Sequence, residues 1–390
     1  MKELISKKCR ELPLSGIRKV NELAMQMERE GNNVIHLEVG RPDFDTPKYI
    51  KEACKKSLDE GNVFYTSNYG TNDLRDAIAN KLKTQNNIDY TGKEILVTVG
   101  LSEAIFDTLS MILDKGDEIL LPNPAWANYF NIPKYLGATV KTYDLLEEND
   151  FQIDFDELIS KISDNTKAIV IITPNNPTGS ILKRETLERL AKIAIEKDIT
   201  ILSDEVYERI IYDNEKHFSI ASIEGMKERT ITFNGFSKTY SMTGWRLGYI
   251  AGAKDFIEIA NRLHQHITTC APSFVQEAGI AALTQEKDEV NVMVSEYKRR
   301  RDYLVNRING IGKLSCSIPK GAFYLFVNIK EYGMTSEEFA KYMLEEAHVA
   351  MVPGNVFGSN GEGYVRISYA SSYDNLVEAC ERMEKAVLKL

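Results

Sequence analysis

The sequence predicts an α/β protein in two parts: a large domain with a mostly parallel central sheet, and a smaller α+β domain. Three observations lead there. The chain has 390 residues, too many for one small domain and suited to a large domain plus a smaller one. Between about residues 90 and 255, short β-rich runs alternate with segments of helical period, which gives a largely parallel sheet covered on both faces. From about residue 285 the texture changes to long charged helices interleaved with isolated strands.

Taken in order, "EILVTV" (94–99) is a strand, followed by a helix from Ser102 to about Asp114 with Ile105, Leu109, Ile112 and Leu113 on one face. "DEILLP" (117–122) and "KAIVIIT" (167–173) are the next strands. "KRETLERLAKIAIEK" (183–197) then spaces Leu187, Leu190, Ala191 and Ala194 at helical period. "ITILSDE" (199–205), "TITFNG" (230–235) and "LGYIAG" (247–252) complete the sheet. The second part reads as a long helix (291–310), a strand "GAFYLFVNI" (321–329), a helix (335–347), a strand "YVRISYA" (364–370) and a last helix from Tyr373. The boundaries that follow are 46–288 for the large domain, with 1–45 and 289–390 forming the small one. There are no internal repeats and no low-complexity linker.

Hydrophobic residues make up 43% and charged residues 27%, enough to build a real core. No run approaches the ~18 apolar residues of a membrane helix, and "MKELISKKCRELPLSG" has neither the apolar stretch nor the cleavage site of a signal peptide. A net charge of -9 disfavours nucleic acid and anionic membranes as partners. The five cysteines (Cys9, Cys54, Cys270, Cys316, Cys380) are far apart and never in a CxxC pair. A cytoplasmic protein without disulfides is expected. With five histidines and no HExxH pair, no metal is expected.

Ligands of an open parallel sheet bind beyond the carboxyl ends of its strands, and four polar clusters sit at such ends. "VTVGLSEA" enters a helix at Ser102, a good N-cap; free backbone N–H groups there make an anion site, although taken alone the cluster reads first as plain capping. "TPNNPTG" (173–179) is a Pro-rich turn with Asn176 beside a proline. "SDEVYE" (203–208) puts Asp204 and Tyr207 where a strand becomes a loop, and "NGFSKTYSMTGWR" (234–246) holds Lys238, Ser237 and Arg246. Each alone reads as a cap or turn; four at the same edge of one sheet do not. A desolvated lysine amine forms an imine with an aldehyde. An aldehyde cofactor with a phosphate and a pyridine ring needs anion donors (the Ser102 helix start, Ser237, Arg246), an acid for the ring nitrogen (Asp204) and a phenol near the ring hydroxyl (Tyr207). Pyridoxal phosphate meets that description. No GxGxxG, GK[ST] or GxSxG motif competes, since "GFSKT" carries Thr239 where the last would require glycine.

With "GRPDFDTP", "YGTNDLR", "PNNPTG", "SDEVYE", "NGFSKTYSMTGWRLGY", "GAFYLF" and "GEGYVRISYA", the chain resembles over nearly its whole length the class I/II aminotransferases of pyridoxal-phosphate fold type I. Bacterial and archaeal aspartate or aromatic enzymes are the nearest in kind. The resemblance implies a role for each matching residue. Lys238 would bond the cofactor aldehyde and shuttle the substrate α-proton, with Asp204 on the ring nitrogen and Tyr207 beside the ring hydroxyl. Asn176 would touch ring hydroxyl and substrate carboxylate, and Trp126 of "NPAWANY" would stack on the ring. Arg246, Ser102, Ser237 and the Leu101 backbone would hold the phosphate. Tyr65 would reach the phosphate of a neighbouring subunit, implying a homodimer with shared sites. Arg366 would clamp the α-carboxylate in a bidentate pair, beside the Gly40 backbone.

The implied activity is transfer of the amino group of an L-amino acid (aspartate, aromatic or broad in range) to a 2-oxo acid such as 2-oxoglutarate. Some relatives that accept dicarboxylates carry a lysine where this chain has Ser102, so its absence here weighs against a strict aspartate specificity and favours an aromatic or broad one. Arg18 ("SGIRKV") and Arg41 ("GRPDF") are candidate readers of a distal carboxylate, beside a purely structural role for each. The same fold hosts C–S β-lyases, and a non-catalytic cofactor-binding sensor is a further alternative. The acidic charge and the full set of catalytic residue types argue against the sensor.

Overall fold

The computed structural model describes residues 4–285 and 287–390; residues 1–3 of the expected small domain and residue 286 of the expected large one lie outside it. Seven strands form the central sheet: β1 (Ile95–Thr98), β2 (Glu118–Asn123), β3 (Thr139–Asp144), β4 (Thr166–Ile172), β5 (Thr200–Asp204), β6 (Thr230–Gly235) and β7 (Gly248–Ala251). Their spatial order is β1-β7-β6-β5-β4-β2-β3. All neighbours are parallel except β7, which is antiparallel to both β1 and β6.

The centre of the sheet explains the continuous apolar runs. In β4, Ala168, Val170 and Ile172 enter one core with Leu202, Phe233 and the helix Leu101–Ile112. Ile169 and Ile171 enter another, with Leu187, Leu190 and Ala194 of the helix Arg184–Lys197. A strand buried on both faces has no polar side to alternate with. The edge strand β3 is only partly buried, so it reads as polar and has no counterpart among the expected strands.

Beyond the sheet, β8 (Tyr324–Asn328), β9 (Val352–Pro353) and β10 (Tyr364–Ser368) pair antiparallel in the order β9-β10-β8. Ile35–His36 pairs in parallel with Val349–Ala350, tying the N-terminal segment to the C-terminal region. From there residues 37–41 continue as a strap. Leu37 N donates to Ala350 O (3.0 Å), and Leu37 O accepts from Ser368 N (2.7 Å). Among the described residues, no helix is long and apolar enough to cross a membrane.

Candidate active site

The carboxyl ends of β1, β2, β4, β5 and β6 open on one cavity of about 300 Å³. Gly40, Leu101, Ser102, Trp126, Asn176, Asp204, Tyr207, Ser237, Lys238, Arg246 and Arg366 all line it, with Arg41, Ile17 and Tyr324. Eleven of the twelve residues singled out from the sequence therefore converge. Tyr65 does not: it is 87% exposed and outside the cavity. Of the two candidate arginines, Arg41 lines the cavity and Arg18 does not.

Lys238 follows β6. Its Nζ donates to Gly40 O (2.6 Å) and lies 5.8 Å from the Tyr207 ring centroid and 5.7 Å from that of Phe323. Burial lowers its pKa to about 8, helped by the Arg366 and Arg246 cations and opposed by Asp204. Such an amine is partly neutral, and hence nucleophilic, near physiological pH.

Asp204 ends β5 at 4% exposure. Its Oδ2 accepts from the Tyr129 hydroxyl (2.9 Å) and its Oδ1 from Val206 N (3.2 Å). Burial pushes its pKa up to about 6, against those two hydrogen bonds. Among the described residues, no cation lies within ion-pair distance of it. A buried carboxyl with two donors and no cation suits a protonated ring nitrogen.

The anion end is built differently from the sequence expectation. Ser102 is not the N-cap: Gly100 is, at φ 77°, and Ser102 is the second residue of the helix Leu101–Ile112. A left-handed φ favours glycine, and a Cβ there would also collide with the Arg246 guanidinium. Since Gly100 makes the turn, the Ser102 hydroxyl is released from capping. Neither it nor the Ser237 hydroxyl bonds to the protein among the described residues. The Arg246 guanidinium is held by Thr243 O (3.1 Å). A helix start, two unused hydroxyls and an arginine fit a phosphate.

Arg366, from β10, is 1% exposed. It donates to Asn176 Oδ1 (3.0 Å) and Glu38 O (2.6 Å), and lies 4.4 Å from the Tyr324 ring centroid. Its Nε has no partner, and among the described residues no carboxylate pairs with it. A buried guanidinium without a counter-ion is costly, so this one is prepared for an anionic ligand.

Two residues here were not singled out beforehand. Tyr129 bonds Asp204 directly; it stands three positions after Trp126, on the helix Ala127–Leu136 that Trp126 starts. Tyr324 shares a hydroxyl–hydroxyl bond with Tyr207 (2.7 Å). It also makes glycine necessary at position 40, where a Cβ would collide with its hydroxyl.

The family model for aminotransferases of class I and II matches residues 32–383. The chain belongs to that family. An aspartate aminotransferase of Pyrococcus abyssi is 48% identical over 96% of this chain and 95% of its own. Aromatic-amino-acid aminotransferase 2 of Thermococcus litoralis is 45% identical over 96% and 95%. Among solved structures, the Thermus thermophilus aspartate aminotransferase with maleate superposes with a TM-score of 0.95 at 36% identity, covering 99% of this chain and 100% of that one. The aminotransferase is a pyridoxal-phosphate enzyme that moves an amino group between amino acids and 2-oxo acids. Its cavity fits the cofactor on its own terms, through the Lys238 amine, the cation-free carboxyl of Asp204 and the anion end at Ser102, Ser237 and Arg246.

Proposed function

We propose that this cavity is the transamination site and that it takes aspartate, aromatic or a broad range of L-amino acids as donors. A 2-oxo acid such as 2-oxoglutarate is the acceptor. The observation that carries the reading is the buried, unpaired Arg366, held on the same cavity as the low-pKa amine of Lys238. The naming of relatives for both aspartate and aromatic substrates supports the breadth.

The helix start and Arg246 would hold the phosphate of pyridoxal phosphate, which would supply an aldehyde for the amine and a ring to accept the electrons of the substrate Cα–H bond. The chain does the rest. Arg366 binds the α-carboxylate as a bidentate pair, its plane fixed by Asn176 and the Glu38 carbonyl. Lys238 Nζ would take the proton from substrate Cα and return one at the carbon that carried the cofactor's aldehyde. Asp204 keeps the ring nitrogen protonated, with Tyr129 and Val206 fixing its orientation. Tyr207, itself fixed by Tyr324, would supply the phenol, and Trp126, which lines the cavity, would stack on the ring.

We further propose a homodimer in which Tyr65 of one copy reaches the phosphate end of the other. The side-by-side exposure of Val63, Phe64 and Tyr65, at 55%, 80% and 87%, supports this. The tie between Ile35–His36 and Val349–Ala350 supports the division into 46–288 and a small domain of 1–45 with 289–390. Five free cysteines suit the cytoplasm.

A half-reaction tests the reading. Holoenzyme is mixed with single amino acids and the cofactor spectrum is followed. Conversion to the amine form with release of the matching 2-oxo acid is expected. Release of pyruvate and ammonia from a sulfur amino acid, with the spectrum unchanged, would make the protein a lyase instead.

A further inference from the structure

Four cations line the cavity, against one carboxylate, Asp204. Three of them are accounted for. Lys238 bonds Gly40 O, Arg246 is held at the helix start by Thr243 O, and Arg366 is held by Asn176 and the Glu38 carbonyl. Arg41 remains. It is exposed at the cavity mouth and, among the described residues, makes no hydrogen bond or ion pair.

Its place on the chain is informative. The strap 37–41 passes Arg366 at the Glu38 carbonyl and Lys238 at the Gly40 carbonyl, each 2.6 Å away. Arg41 comes next, with its Cα ~3.8 Å past that of Gly40. The strap thus carries the chain past the α-carboxylate clamp, then the reacting amine, then a free guanidinium. That is the order of the two carboxylates and the reacting carbon in a dicarboxylic amino acid. Ile17 and Trp126 also line the cavity, so apolar substrate side chains have surfaces of their own.

We propose that Arg41 binds the side-chain carboxylate of four- and five-carbon dicarboxylic substrates, so that the enzyme uses both dicarboxylic and apolar amino acids. This rests on the reading of the cavity as the transamination site. Arg18, one residue from Ile17 but outside the cavity, takes no part.

The test compares holoenzyme carrying Arg41→Gln, Arg41→Lys or Arg18→Gln with the unaltered protein. It reads two quantities: the ratio of kcat/KM for glutamate over phenylalanine, and the Kd of glutarate, a dicarboxylate that cannot react, by calorimetry. A hydrogen-bonded charge pair predicts that Arg41→Gln lowers the ratio about 10- to 100-fold and weakens glutarate by a similar factor. Arg41→Lys should recover part of both, and Arg18→Gln should move neither. An unaltered ratio and glutarate Kd in Arg41→Gln would overturn the proposal, as would equal losses for glutamate and phenylalanine. In either case the transamination reading survives, because both donors still react with the unaltered enzyme. Failure of the unaltered holoenzyme to react with any donor would instead sink that reading, and this proposal with it.

Discussion

Replacing Asp204 with Asn should make the cofactor-free protein more stable while crippling the enzyme. The carboxyl is 4% exposed, and its pKa rises from an ordinary 3.8 to about 6, chiefly through burial. An acid with a raised folded-state pKa favours folding below its unfolded value, and that contribution is lost as pH rises through the folded value. Ionised Asp204 therefore costs the cofactor-free fold about 3 kcal/mol above pH ~6. Asparagine has the same shape: its Oδ1 still accepts from Val206 N, and its amide donates to the Tyr129 oxygen. Denaturant unfolding of the cofactor-free proteins at pH 7.5 should then favour Asp204→Asn by up to ~3 kcal/mol, and the gain should shrink at pH 5. With cofactor and donor, kcat should fall by about 10²-fold or more, because nothing then holds the ring nitrogen as a cation. A variant less stable than the parent at pH 7.5, or a difference independent of pH, would refute the burial argument.

Other outcomes follow from the same contacts. Arg366→Met removes the clamp and should raise KM for every amino-acid donor by about 100-fold, the worth of a bidentate charged pair; steady-state kinetics with aspartate and phenylalanine check this. Away from the cavity, Lys81 and Glu208 form a buried ion pair, both 6% exposed, with Asn86 bonding each. Lys81→Met strands the carboxylate and should cost about 3–5 kcal/mol in denaturant unfolding, with most of it regained in a Lys81→Met, Glu208→Leu double variant.

How much of this could be read in the sequence depended on where each signal lay. β4 and β5 were legible because burial on both faces leaves unbroken apolar runs. The clusters at Asn176, Asp204 and Lys238 were legible because they follow such runs directly. β3 was not, since an edge strand keeps polar side chains. The helix Lys48–Asp59 buries only Ile50 and Ser57, and Asn72–Asn86 turns Lys81 and Asn86 inward, so neither shows a clean apolar stripe. Ser102 looked like a cap because serine usually is one; the left-handed turn at Gly100 took that place. Tyr129 and Tyr324 act across layers, on Asp204 and Tyr207, through contacts that no local spacing encodes. Glu38 holds Arg366 through its carbonyl, which any residue would supply.

The central claim is that the amine of Lys238 is the group that engages the cofactor. Treating the holoenzyme with borohydride fixes the cofactor to whichever lysine holds it, and peptide mass mapping then locates the adduct. The account predicts a single adduct in the peptide containing Lys238, absent in Lys238→Ala. An adduct on another lysine, or its persistence in that variant, would contradict the assignment.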